Sequence, residues 1–167
     1  GREVETTALV ARTLARAGIP FRRHRPTGLV AHLSQGRGPC VALRADMDAL
    51  PLTETSALPF ASRRPGIMPA CGHDAHTAML ATAAVRLKQE GAGTGGVLKF
   101  LFQPDEEGSG GARQLLDQGA FRGPAVDAVF GIHVNPRLPA GTLGLKTGPL
   151  MAAVDRFTLT VRGEGGH

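Results

Sequence analysis

The sequence predicts an α/β fold in which a mostly parallel sheet is flanked by helices. Three observations predict it. Short apolar runs alternate along the chain with segments of helical periodicity. Two of those runs, Val97–Phe102 and Val126–Ile132, are almost unbroken, as expected of strands buried on both faces. Polar clusters follow directly on predicted strands, and open α/β sheets bind ligands outside the carboxyl ends of their strands.

The elements follow in order. Residues 2–17 read as an amphipathic helix, with Val4, Leu9, Val10 and Leu14 near helical spacing, stopped by Gly18 and Pro20. Leu29–Leu33 and Cys40–Leu43 read as short strands split by a turn over residues 34–39. Residues 49–72 are rich in Pro and Gly and form a long loop, a length associated with function or motion. A second helix is expected from His76 to Gln89, where Met79, Leu80, Ala83 and Leu87 share a face. A glycine-rich turn over Gly91–Gly96 leads into the strand Val97–Phe102; a helix over Ala112–Leu116 and the strand Val126–Ile132 come next. Beyond Pro139 the pattern changes, and Thr142–Leu145 and Phe157–Val161 alternate like strands of a second kind. A composition shift near 148–153 divides the chain into a main domain, 1–152, and the first strand of a second domain, 153–167.

Composition narrows the function. At 167 residues the length suits about one domain, and 42% hydrophobic with 20% charged residues excludes wholesale disorder. No run reaches the roughly 20 apolar residues of a membrane span, and the opening GREVETTALV does not read as a signal peptide. Two cysteines, Cys40 and Cys71, make no disulfide framework and fit a reducing, cytoplasmic setting. The net charge is +5, and only Lys88, Lys99 and Lys146 are lysines among 19 basic residues. Those residues are scattered, and Trp and Tyr are absent, which argues against a nucleic-acid partner.

Four clusters carry chemistry. Asp105, Glu106 and Glu107 are adjacent acids at the end of an apolar strand, where they repel one another. They form either a solvated turn before a helix or a cation site, in which one Glu ligates and its neighbour acts as base toward water. Cys71 and His73 form a C-x-H pair suited to zinc-like metals, although Cys71 also suits a small core position and His73 a helix start. Asp74 fits an N-cap, and His76 is either a partner of the ligands or a surface helical histidine. His133 ends an apolar strand, as a ligand or as a satisfied core histidine. Asp46 and Asp48, two apart, point to one side of an extended chain; either could ligate metal, orient a ligating histidine, or form a turn before Pro51. His24, His32 and Cys40 read as structural.

Taken together, ALRADMDALPLTE (42–54), ACGHDAHTAML (70–80), FLFQPDEEGSGGA (100–112), GIHVNPRLPAG (131–141) and GEGGH (163–167) resemble the aminoacylase-like metallopeptidases, specifically their branch of N-acyl-amino-acid amidohydrolases. That branch includes hippurate hydrolases, auxin-conjugate hydrolases and related carboxypeptidases. Any one motif is weak, and five in the family's order are specific. The resemblance implies a zinc-peptidase-like α/β domain with the start of a smaller α+β lid domain. It implies a divalent metal, two ions per complete site, zinc or manganese with cobalt or nickel as alternatives. Cys71, His73, Glu107 and His133 would be the ligands, Glu106 the general base, and Asp48 a support behind the ligands, with Asp46 a weaker match. His167 matches a lid-domain histidine that reaches a partner subunit's site and stabilises the oxyanion, so a homodimer through the lid is implied. The substrate would be a small N-acyl amino acid, with dipeptides or carboxypeptidase substrates as the alternative.

Two departures bear on this. Pro69 stands where the family usually carries His before the Ala-Cys-Gly-His motif. Family members also continue past the position of His167, back into the catalytic domain, which supplies a further ligating His. The chain is therefore expected to be a fragment, either of an active hydrolase or of a protein that binds metal without turnover.

Overall fold

Helix α1 spans Val4–Arg16. Its buried stripe is Thr7, Val10, Ala11 and Leu14, whereas Val4 and Leu9, expected on that face, are exposed. The 3/4 spacing of a helix selects this set once Leu14 is fixed in the core. The helix ends in a Schellman motif: Ile19 N–H donates to the Leu14 carbonyl and Gly18 N–H to that of Ala15, both at 3.0 Å. The motif needs a left-handed residue, and Gly18 supplies it with φ of 65°. Ile19 then buries in the same cluster as Leu14.

The computed structural model describes all residues except 92–94, 109 and 156. The expected glycine-rich turn over Gly91–Gly96 thus lies partly outside the described residues. After α1 come β1 (Phe21–Arg23), β2 (Leu29–Ser34), β3 (Cys40–Asp46), α2 (His73–Glu90), β4 (Val97–Gln103), α3 (Gly111–Asp117) and β5 (Ala128–Gly131). The sheet runs β1-β2-β4-β3-β5. β4 and β5 both pair with β3 in parallel, while β1 and β4 both pair with β2 antiparallel. The α/β class holds, but the sheet is mixed rather than mostly parallel. β1 accounts for part of the difference: a tight turn joins it to β2, which forces a hairpin. Its sequence, Phe-Arg-Arg, carries too little apolar signal to be read as a strand.

Alternation along the strands feeds both faces of the sheet. Leu29, Ala31, Leu33, Phe100 and Phe102 pack with Val10, Leu14, Leu80 and Ala84 from α1 and α2. Val30, Ala42 and Leu101 pack on the other face with Leu115 of α3 and Ala120. Phe100 and Phe102 are fully buried, each worth ~1.5–3 kcal/mol by burial alone. α2 begins three residues earlier than expected, so its buried set is His73, His76, Thr77, Leu80 and Ala84, and Met79 is exposed. β5 is less buried than its apolar sequence suggests: Val129 and Phe130 are 47% and 60% exposed, because β5 is the sheet edge, and Ile132, just past its end, is 61% exposed.

Residues 135–167 form a second, separate unit. The strands expected over Thr142–Leu145 and Phe157–Val161, including the first strand of the 153–167 domain, do not form among its described residues. A strand needs a hydrogen-bonded neighbour, and alternation alone does not provide one. Leu145, Phe157, Leu159 and Val161 are all more than 80% exposed. The unit is held locally by turns, such as Thr142 N–H to the Pro139 carbonyl.

His24 is nine-tenths buried or more, and neither ring nitrogen has a hydrogen-bond partner among the described residues. Burial first, and the Arg22 charge second, hold its pKa below the ordinary 6.5. The unfolded chain therefore binds a proton that the folded chain refuses. Stability is complete above pH 6.5 and falls as pH drops below it. His24→Leu is expected to flatten the fall in melting temperature between pH 7 and pH 5 by a few degrees; parallel curves for the two proteins would contradict the assignment.

Candidate metal centre

The carboxyl ends of β3, β4 and β5 lie along one edge, because these strands run parallel. Asp46 ends β3; Asp48 follows it. Pro104 and the Asp105-Glu106-Glu107 turn follow β4, and His133 follows β5. Asp105 adopts φ of 50°, a left-handed turn that Asp tolerates better than most residues. The N-terminus of α2 brings Cys71, His73 and His76 to the same edge.

Gly72 makes that delivery possible. It is the N-cap of α2 with φ of 87°, and a Cβ there would fall 2.3 Å from Val134 Cγ2. The helix start is thus pressed against the strand end that carries His133. Asp74, expected as the N-cap, instead lies in the first turn and accepts from Ala75 N–H at 2.9 Å.

His73 is the hub. Its Nδ1 lies 3.1 Å from both the carbonyl and Oδ1 of Asp48, two acceptors, so the proton resides on Nδ1. The lone pair on Nε2 is then free, buried and without a hydrogen-bond partner among the described residues. Nε2 lies 3.8 Å from Glu107 Oε1 and 3.7 Å from Asp46 Oδ2. The ligand atoms of Cys71, His73 and His133 lie within 4.8 Å of one another, as do those of His73, Glu106 and Glu107. Cys71 Sγ is 3.5 Å from His133 Nε2, and His133 Nδ1–H donates to the Val134 carbonyl at 2.7 Å. Cys71, His73, Glu107 and His133 therefore converge, and Glu106 stands beside them. His167 belongs to the second unit and is exposed there.

The electrostatics call for a cation. Burial, then the hydrogen bond and charge of Glu107, then Glu106 and Asp46, push the Cys71 thiol up to about 11. An orphaned buried imidazole nitrogen, a thiol and a pair of carboxylates are the donor set of a zinc-like cation, which would relieve each of these costs. The residues present fit such a metal.

Two supports were only partly foreseen. Asp48 Oδ2 accepts from Glu107 N–H at 2.9 Å while its other oxygen faces His73, so one carboxylate positions two candidate ligands. His76, which could have been a surface histidine, is buried. Its Nδ1–H donates to Asp46 Oδ1 at 2.6 Å, and its Nε2 accepts from Val134 N–H at 2.9 Å. Asp46 is held in turn by Arg44 Nη1 at 2.7 Å. Burial raises the Asp46 pKa, but the His76 bond and the Arg44 charge outweigh it, leaving the carboxyl below its usual range. The third cluster of potential ligands, Asp46, His73 and His76, is largely committed to these bonds. The helical phase, with His76 three residues after His73 on one face, was the available signal. His76→Leu is expected to weaken metal binding by ~10–100-fold in a chelator competition; unchanged affinity would make His76 a packing residue only.

The model of peptidase family M20/M25/M40 matches residues 42–165, the span that contains all these clusters. The chain belongs to this family. Among its relatives, an N-acetyl-L-cysteine deacetylase of Bacillus subtilis (strain 168) is 48% identical over 167 residues, covering 99% of this chain and 40% of the relative. Thermostable carboxypeptidase 2 of Saccharolobus solfataricus is 43% identical over 171 residues, covering 99% of this chain and 43% of the relative. The crystal structure of the Bacillus subtilis YXEP protein, a dinuclear metal binding peptidase from the M20 family, superposes with a TM-score of 0.84 at 45% identity, over 89% of this chain and 42% of that one. The chain thus spans about two fifths of the length of these M20 relatives. Among the described residues no helix is long and apolar enough to cross a membrane.

Proposed function

We propose that the polypeptide carrying this chain hydrolyses the amide bond of small N-acyl amino acids with divalent cations held by Cys71, His73, Glu107 and His133. The observation that carries the proposal is the buried, unpartnered Nε2 of His73, facing a thiol, a second imidazole and paired carboxylates at the strand ends. The deacetylase relative supports the substrate class. The carboxypeptidase relative supports the second reading, cleavage of peptide-like amides. Zinc or manganese suits the donor set, with cobalt or nickel as alternatives.

Divalent cations held by Cys71, His73, Glu107 and His133 would supply Lewis acidity toward the scissile carbonyl and toward water. Glu106, exposed at the mouth of the site, takes the water's proton as the oxygen attacks the carbonyl carbon. It then returns that proton to the departing nitrogen. Asp48 keeps the His73 proton on Nδ1, so Nε2 remains a donor of electrons. His167 would supply an imidazole to the developing oxyanion in the active site of a partner subunit. We place the domain boundary after residue 152, with 153–167 opening a smaller lid domain through which the protein forms a homodimer; the exposed apolar side chains of Phe157, Leu159 and Val161 would be covered by such an assembly. Free thiols at Cys40 and Cys71 favour a cytoplasmic setting.

The test is a hydrolysis screen of N-acyl amino acids and dipeptides on the full polypeptide, before and after chelation. Activity on the N-acyl set, lost on chelation and restored by zinc or manganese, is the expected result. Chelator-insensitive activity would overturn the proposal.

A further inference from the structure

A cavity lies on the sheet face that carries α3, and none of its lining residues belongs to the metal centre. It has a volume of about 500 Å³ and is lined by Arg22, His32, Lys99 and Arg122, with no Asp or Glu among its described lining residues. The strand register builds it. His32 and Lys99 are cross-strand partners, and Arg22 pairs with Val30 two residues before His32, so all three side chains share one face. The segment after α3 closes the far side and adds Arg122.

The charges there are unneutralised. Lys99 is 3% exposed, and its Nζ donates to the carbonyls of Ala120, Arg122 and Pro124 at 3.1, 2.7 and 2.7 Å. Those bonds fill its three donors and fix a buried positive charge in the wall. Burial pulls the Lys99 ammonium below its ordinary range, and the Arg22 charge pushes it the same way. Arg44, Arg64, Arg86 and Arg113 each reach a carboxylate. Arg22 and Arg122 reach none among the described residues. Arg22 Nη2 donates to the Gln118 carbonyl, which leaves its other donors available. The two side chains converge on Gly119: a Cβ there would lie 3.6 Å from Arg22 Nη2 and 3.5 Å from Arg122 Cδ.

We propose that this cavity binds a small oxyanion, inorganic phosphate or a phosphate monoester, through the guanidinium forks of Arg22 and Arg122 over the buried charge of Lys99. Planar forked donors match a phosphate's oxygens in pairs, and a group of cations lacking acidic partners is relieved by a dianion. The cavity exceeds one phosphate group, leaving room for the organic part of a monoester.

The test is calorimetric titration of the metal-loaded full polypeptide with inorganic phosphate, and separately with glycerol 3-phosphate, at fixed ionic strength. Saturable binding is expected, weakened about tenfold in Arg22→Met and in Arg122→Met by loss of a charge-assisted fork. Tighter binding of glycerol 3-phosphate would identify a monoester site, and tighter binding of phosphate a free-anion site. Arg122→Met is the decisive variant, because the Arg122 side chain makes no hydrogen bond or ion pair among the described residues, so its replacement breaks none; an unchanged melting temperature checks that the fold is kept. Absence of saturable binding overturns the proposal. So does phosphate binding unchanged in Arg122→Met, which would assign the anion to the bound cations. Neither arginine takes part in the proposed hydrolysis, so loss of hydrolytic activity elsewhere leaves this result independent.

Discussion

Glu106→Gln is expected to lower turnover of the full polypeptide by ~10²–10⁴-fold, with metal content, read by elemental analysis, unchanged. Glutamine keeps the shape and hydrogen-bonding reach of glutamate but cannot accept a proton, so the variant removes the proposed base and little else. Metal is retained because the buried donor, His73 Nε2, and its neighbours Cys71 and His133 are untouched. The pairing with Glu107 makes the experiment sharp, since Glu106 also lies within ligand reach of His73. Glu107 is anchored through its backbone N–H to Asp48, and its side chain bonds Cys71, whereas Glu106 is the more exposed of the two. If Glu106→Gln sheds metal and Glu107→Gln keeps it, the two roles are exchanged. If turnover survives, the base lies elsewhere.

Cys71→Ala is expected to loosen metal binding by more than the ~10–100-fold expected for a supporting residue such as His76. The sulfur is the softest donor present and sits 3.5 Å from His133 Nε2. With its pKa raised to about 11, the thiol holds its proton at neutral pH unless a cation displaces it. Loading metal into the wild type should therefore release protons that the variant does not release, measurable in a weakly buffered titration. Equal affinity and equal proton release in both proteins would leave Cys71 as a small apolar filler.

Much of this was legible in the chain itself, for physical reasons. Val97–Phe102 announces a strand because a strand covered on both faces has no polar side to show. The convergence of Asp48, Cys71, His73, Glu107 and His133 follows from strands that end in polar residues on the same edge. His76 was obscured by a helix start placed three residues late, which hid the face it shares with His73. The division of labour between Asp46 and Asp48 depends on which imidazole each carboxylate meets, and that is decided by packing. Arg22 and Lys99 looked scattered, and His32 merely structural, because cross-strand register, invisible in a linear chain, is what gathers them. Phe157, Leu159 and Val161 alternate as a strand would, yet pairing is a property of two segments and cannot be read from one.

The donors that meet at His73 come from well-separated stretches of polypeptide, the loop before α2, the β4 turn and the end of β5. A cation gripping them behaves as a removable cross-link, closing long loops that an unfolded chain would leave open. Mass action then ties heat resistance to metal supply: once free metal exceeds its dissociation constant, each tenfold rise adds ~1.4 kcal/mol to the folded state.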